Sequence, residues 1–593
     1  MEWSAAFLEA ASCDRKIAPA SSASSASGRW SKSAAALALL SIIWTGAATA
    51  EDGLRGLVAP KSPSEKAAPG PALDFGPSEG LPALAPGEAD TVILTQVRIE
   101  DGTAFTGGEF DAIAQPFLGR RLTVQDLVLL RDAVTRLYVD RGYLNSGAIL
   151  PDQDLKDGVL RLKIVEGWLS VVQVSGVEHV SADYIAGQLT DDERPLDIHR
   201  VEDRLQLLRQ SPSLQTVQAT MRPGVTPGTA LLDVAVEETP PLSAGLSFHN
   251  QSPPAVGAEK AVVFASYRNL LGRDDVLTAQ FGHLIDHGGI EDYSFGYDLP
   301  VSARGTVLSL TVDRSESVIT SPPFDQLDIQ SRTTTFAVGI RQPLYRTAAE
   351  QFAVSLRGQR RESDTSLLGE PFSFSEGVQN GHTVVNAISF GQDWVRREAN
   401  QVFAATSVFT QGLGVWRATR NATGADGRFT AWLGQGQWAR HLDLLDSQAI
   451  LRTSLRLSSS QLLPSEKFSI GGLDSVRGYR EALLSRDQGW VSSAEWRVPT
   501  GLRLPVPYLS AQPDDGGIAV AAFFDHGLSW NAHASTDSPH ALYAAGLGML
   551  WQIGPQSKIE FYYGKALRTV PLPQDRDLQD DGIHFRITLV PLS

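Results

Sequence analysis

The side chains that could do covalent chemistry are few and scattered. Eleven histidines and one cysteine are spread over 593 residues. There is no Gly-x-Ser-x-Gly, no His-Glu-x-x-His, no Walker loop and no cysteine pair. His283 and His287 lie close together in a stretch that reads as loop, where histidines are more often solvated than metal-bound. Carboxylates are abundant, but none forms a pair that can be placed at glycosidase spacing. The residues therefore predict no active site, no metal and no cofactor. They do carry a candidate for charge recognition, in the segment Lys467-Phe-Ser-Ile-Gly-Gly-Leu-Asp-Ser-Val-Arg-Gly-Tyr479. Gly478 permits a tight turn that presents Arg477, and the segment sits between two runs that alternate apolar and polar residues. An arginine presented by such a turn needs an acceptor wherever it leaves water.

The elements that must position this loop come in two kinds. The formal net charge of −16 argues against a nucleic-acid binder. Arg29 and Lys32, the apolar stretch Ala34–Trp44 and the small-residue site Ala48-Thr-Ala50 read as a secretory leader cleaved after Ala50, with residues 1–28 as an upstream extension. Cys13 precedes that site, so the mature chain has no thiol. Residues 51–88, rich in Pro, Ala and Gly, read as a linker. Residues 90–167 then read as strand (Val92–Ile99), helix (Glu109–Leu118), helix opened by Thr123-Val-Gln-Asp126, and two strands (Ala148–Leu150, Val159–Val165). The same order recurs in residues 170–238. From about residue 240 alternation takes over: Leu451, Leu455 and Leu457 against Arg452, Ser454 and Arg456; Ile559, Phe561 and Tyr563 against Glu560 and Tyr562. Such strands fit a wall with lipid on one side and water on the other. Sixteen runs begin near Leu242, Val262, Val276, Asp292, Val307, Thr334, Phe352, Val384, Val402, Phe429, Ala449, Trp490, Ile518, Tyr543, Ile559 and Ile583.

Several motifs resemble those of the two-partner secretion transporters, the haemolysin-activator and filamentous-haemagglutinin-exporter type of the outer-membrane assembly superfamily. Gly142-Tyr143, then Pro151, Gln153, Asp154 and Leu155, then Gly158 and the closing Glu166-Gly167, resemble the family's first POTRA domain. Met221–Gly228 resembles the last turn of a second such domain, and Asn269–Gly272 with Asp274 an early barrel hairpin. Val476-Arg477-Gly478-Tyr479 resembles the tip of the family's inward-folded channel loop, and Phe523, Asp525 and Gly527 its Phe-x-Asp-x-Gly barrel-wall motif. By that resemblance Arg477 binds Asp525, with Phe523 beside it. Asp581–Ile587 resembles a last-strand signal, but the chain continues through Pro591, where the strand is expected to stop.

The resemblance implies an α+β pair of periplasmic POTRA repeats followed by an all-β antiparallel transmembrane barrel of about 16 strands. The expected divisions are 1–50 leader, 51–88 linker with a possible plug-helix region, 89–168 and 169–239 POTRA domains, and 240–593 barrel. The implied function is export of an unfolded, secreted partner protein, a large β-helical adhesin or cytolysin, across the outer membrane of a Gram-negative bacterium. The POTRA domains would recognise it, with the Tyr143 region and the Val165–Gly176 link as implied contacts. Outer-membrane lipid and the barrel-insertion machinery are the other implied partners; nucleic acid and nucleotide are not, and no enzymatic activity is expected. The alternatives are an assembly or insertion factor of the same superfamily and a passive porin-like channel.

Overall fold

The computed structural model describes residues 91–190, 195–285, 291–321, 324–510, 512, 515–571 and 575–592. The expected leader and linker, and His287, lie outside the described residues.

The first α/β unit contains β1 (Gln96–Glu100), α1 (Gly107–Ala114), α2 (Val124–Asp140), β2 (Gly147–Ile149) and β3 (Val159–Val165). Helix α2 starts where the sequence places a cap: the Thr123 amide donates to the Asp126 carboxylate at 2.8 Å, and the Asp126 amide donates back to the Thr123 hydroxyl at 3.3 Å. Its face of Leu127, Leu130, Val134 and Tyr138 is buried on a sheet ordered β1–β3–β2. Two expected elements are interrupted. The strand expected over Val92–Ile99 breaks, because Leu94 turns fully into the core; Val92–Ile93 pairs with Arg121–Leu122, and β1 starts afresh beside β3. The helix expected over Glu109–Leu118 tightens to a 3-10 turn at Gln115–Phe117, where Pro116 has no amide hydrogen to continue it.

The second unit repeats the topology with β4 (Trp168–Ser175), α3 (Ala182–Leu189), α4 (Ile198–Leu208), β5 (Leu214–Pro223) and β6 (Thr229–Glu238). Its sheet is ordered β4–β6–β5, with β4 parallel to β6 and β5 antiparallel to it, as β1 and β2 are to β3.

Sixteen long strands, β7 (Leu242–His249) to β22 (Ile583–Leu592), then close a barrel, with the two-residue strand Glu370–Pro371 as a side pairing. Each run expected from alternation begins within four residues of one of these strands. Neighbours are antiparallel, and β22 pairs with β7 (Arg586 with His249, Ile587 with Phe248) to remove both edges. Outward side chains such as Leu451, Phe524, Leu547, Phe561 and Tyr563 are exposed, whereas lumenal Arg456, Glu495, Asp525 and His584 are buried. The expected stop before Pro591 is corrected. The ladder slips between Leu589 and Leu592, so Val590 and Pro591 occupy a bulge and the strand resumes beyond them.

Candidate functional site: an inward loop clamped to the barrel wall

The connection between β17 (Ser447–Ser458) and β18 (Gln488–Arg503) does not run across the surface. It turns into the lumen as a small hairpin in which Phe468–Ile470 pairs with Leu484–Arg486. Phe468, Ile470, Val476, Tyr479 and Leu484 form a buried apolar cluster with Val491, Leu542 and Ala544 of the wall. This cluster lets a polar loop stay folded inside a polar cavity, since its apolar side leaves water.

At the tip, Arg477 is 3% exposed. Its Nε donates to Asp525 Oδ2 at 2.8 Å and its Nη2 to Asp525 Oδ1 at 2.8 Å, a fork-on-fork pair. The Arg477 amide donates to the same carboxylate at 3.0 Å. Nη1 donates to Glu495 Oε2 at 2.5 Å, and Nη2 to Ser493 Oγ at 3.0 Å. The guanidinium carbon lies 3.6 Å from the ring centre of Phe523 and 4.8 Å from that of Tyr562.

The wall motif works through its period of two. Phe523, Asp525 and Gly527 lie on the lumenal face of β19 (Gly517–Trp530). Phe523 stacks on the guanidinium and Asp525 binds it. Gly527 clears space: a Cβ there would lie 2.5 Å from Ile470 and 2.8 Å from Val476. Gly478 has φ +88°, and a Cβ on it would lie 2.7 Å from the Gly564 carbonyl oxygen of β21 (Lys558–Ala566). Its amide donates to His584 Nε2 at 3.0 Å. Tyr479 donates its hydroxyl hydrogen into the pair of carbonyls of Tyr543 and Arg568, at 2.9 and 3.0 Å. Val476 is fully buried.

Reading the sequence missed Glu495, Tyr562 and His584, which complete the clamp. The available signal was only that each lies on the polar face of an alternating run. Further pins were also missed. Arg361 of β13 (Glu350–Leu367) pairs with Glu466 at 2.8 Å, Arg480 with Asp580 at 2.5 Å, and Arg586 with Asp474 at 3.0 Å. Asp487 accepts the amides of Leu462 and Ala532, both at 2.9 Å.

The motif residues of the first α/β unit lie nearly 300 residues upstream of the inward loop, and the structure brings them together with one another. Gly142, at φ +91°, closes α2, its amide donating to Val139 O at 3.0 Å. Tyr143 packs edge-on against Phe105 and Tyr138. Gln153 imitates a strand: its Nε2 donates to Arg161 O at 2.8 Å and its Oε1 accepts the Arg161 amide at 2.7 Å. The Pro151 carbonyl accepts from Gln153 Nε2 as well, Asp154 accepts the Lys156 amide, and Leu155 packs on the core. The Gly158 carbonyl accepts the Thr95 amide at 2.8 Å. Glu166 accepts from the Thr103 and Ala104 amides at 2.6 and 2.8 Å and from Tyr138 at 3.1 Å. Burial opposes ionisation of Glu166, but these hydrogen bonds outweigh it and hold its carboxyl below the usual range. Gly167 donates to Ser146 Oγ at 2.9 Å and accepts the Leu196 amide at 2.8 Å, joining the two units. Among the described residues there is no cluster of histidine, cysteine and carboxylate fit to hold a metal.

A family model described as haemolysin secretion/activation protein ShlB/FhaC/HecB matches residues 228–550, and one for the ShlB-type POTRA domain matches 92–167. The outer membrane transporter CdiB of Escherichia coli is 24% identical over 517 residues, 82% of this chain and 79% of the relative. The heme/hemopexin transporter protein HuxB of Haemophilus influenzae is 20% identical over 450 residues, 73% of this chain and 75% of the relative. In fold, the chain is similar to the solved CdiB of Escherichia coli, with TM-score 0.64 and 20% identity over 86% of this chain and 93% of that one. The match to the transporter model spans more than half of the sequence and takes in both Arg477 and Asp525: the chain belongs to the haemolysin secretion/activation family ShlB/FhaC/HecB, outer-membrane β-barrel transporters of the two-partner secretion type.

Proposed function

We propose that this transporter catches an unfolded, secreted partner protein on its periplasmic α/β units and passes it through the barrel lumen. The first unit, taken as 89–168, and the second, taken as 169–239, act as POTRA domains ahead of a barrel at 240–593. The partner is a large β-helical adhesin or cytolysin that folds outside, and that folding supplies the direction. Each unit offers open sheet edges, with the apolar side chains Ile149 on β2 and Val171 on β4 exposed there. Backbone pairing at such edges gives affinity with little demand on sequence.

The loop at 459–487 is the part that must yield for a chain to pass, and Val476, Arg477, Gly478 and Tyr479 are its anchor. The observation that carries this reading is the burial of Arg477 between Asp525 and Glu495, a polar latch inside the conduit. Water or a passing backbone can take over the charge-assisted hydrogen bonds of the latch, while release of the loop also separates its apolar cluster from Val491, Leu542 and Ala544 of the wall. Arg477→Ala is expected to reduce partner release into the medium while the barrel still inserts, as read by heat-modifiable migration on a gel. Release at the wild-type level would remove the loop from the transport step.

A further inference from the structure

A cavity of about 1030 Å³ lies where the second α/β unit meets the periplasmic mouth of the barrel. Helices α3 and α4 form one side of it, and lumenal strand ends form the other. Six arginines line it: Arg204 from α4, and Arg304, Arg341, Arg346, Arg357 and Arg397 from the barrel. Three aspartates face them, Asp274, Asp298 and Asp393, with no lysine or glutamate. The whole chain carries −16, so this concentration of positive charge runs against its average.

The aspartates are already occupied. Asp274 accepts from Ser211 and Ser213 at 2.9 and 2.5 Å. Asp393 accepts from Thr406 at 3.0 Å and stands 3.6 Å from Arg341. Asp298 is held by Ser309. Among the described residues, the guanidiniums of Arg346 and Arg397 form no hydrogen bond and no ion pair. Arg397 meets the like charge of Arg346, which itself meets the like charge of Arg341 and the opposite charge of Asp274. Arg346 is exposed and Arg397 half-buried at the cavity wall, so both planar forks keep donors available to an acceptor there. Water can cover them at rest, but a carboxylate matches their geometry better.

We propose that this vestibule is a binding site for an extended, acidic stretch of the exported polypeptide, which it takes from the second α/β unit and presents to the lumen. The inference rests on the transport reading above and adds the chemistry of the cargo segment. Rings of arginine at a pore mouth raise the local concentration of anionic groups and exclude cationic ones. Helix α4 lines one side of the cavity and lumenal strand residues the other, so a segment held there sits between the second α/β unit and the lumen. Occupation by carboxylates relieves the repulsion between Arg346 and Arg397, so binding and a settled mouth are linked.

The test uses the full-length transporter in detergent, with short fluorescent oligo-glutamate and oligo-lysine peptides as probes. The wild type is expected to bind oligo-glutamate and not oligo-lysine, with affinity falling as salt screens the charges. Arg346→Gln with Arg397→Gln is expected to weaken oligo-glutamate binding by about tenfold or more, while Arg346→Lys with Arg397→Lys retains most of it. Heat-modifiable migration of each variant verifies that the barrel is folded. Equal binding of the two peptides by the wild type, or undiminished oligo-glutamate binding by the folded double glutamine variant, overturns the proposal. Co-expression with the partner separates the two readings. If the wild type releases no partner, the transport reading fails. If it releases partner and the double glutamine variant both releases partner and binds oligo-glutamate equally well, the vestibule inference alone fails.

Discussion

The two ends of the lumen treat arginine in opposite ways. At the loop tip Arg477 is saturated, with two carboxylates, a hydroxyl and two aromatic faces around it. At the periplasmic mouth Arg346 and Arg397 have no ion pair among the described residues. Both sets are lumenal, and at the mouth six arginines face three aspartates. The difference is what a resting structure needs against what a moving substrate needs. A saturated arginine fixes a position, because breaking it strands buried charge. An unsaturated one waits for an occupant. The motif that is easiest to read therefore marks where the transporter holds itself together, and the surface proposed to meet cargo carries little signature.

The sharpest way to break this comparison is at the saturated end. Arg477→Ala leaves Asp525 and Glu495 buried without their shared cation, and a loss of about 3–5 kcal/mol in barrel stability is expected. It is read as a lower temperature for the gel shift from compact to unfolded barrel. A neutral result would mean that the latch is no more demanding than the mouth. Gly478→Ala comes next. It keeps every charge but forces a side chain into positive φ and against the Gly564 carbonyl, at about 1–3 kcal/mol. Its signature is a loop displaced from the wall, seen as increased single-channel conductance in planar bilayers; unchanged conductance would show that the wall yields instead.

Smaller effects are expected in the first α/β unit, where motif residues do local work. Gln153→Ala removes two hydrogen bonds from the Arg161 backbone, at about 1 kcal/mol, and faster hydrogen exchange at the Arg161 amide is the measurement. Protection equal to wild type would mean that the imitation strand is dispensable. The smallest is a pH effect at Glu166. Its carboxyl is held below the ordinary value near 4.3, so its contribution is present above that pH and is lost as the pH falls through the lower folded value. Melting of the α/β units followed from neutral to acid pH should steepen at the acid end in the wild type and flatten in Glu166→Gln. Identical profiles would remove Glu166 from the pH response.

Much of the architecture was legible because lipid and water lie on opposite sides of one wall. That constraint writes a period of two into each strand, and it located all sixteen. Helix α2 was legible from Thr123 and Asp126, a local signal with a local cause. Leu94 was not, since a residue inside a β-rich run gives no sign that it will turn inward and end the strand. Pro591 misled in the other direction, because a bulge lets a strand pass a residue that cannot donate. At the clamp, Arg477 and Asp525 entered through a family resemblance. Glu495, Tyr562 and His584 did not, because a lumenal glutamate looks the same whether it meets a loop or water. The vestibule was invisible for a related reason. Its arginines come from α4 and from strand ends nearly two hundred residues apart, and only closure of the barrel under the second α/β unit assembles them.

The central claim is that the Arg477–Asp525 contact fixes the loop inside the conduit. A double-mutant cycle with Arg477→Ala, Asp525→Ala and the pair, read by the barrel's thermal gel shift and by partner release, tests it most directly. The account predicts non-additivity: removing Asp525 from the Arg477→Ala background costs little further, or restores stability by taking away an orphaned charge. Losses that simply add, with partner release unchanged in all three variants, would contradict it.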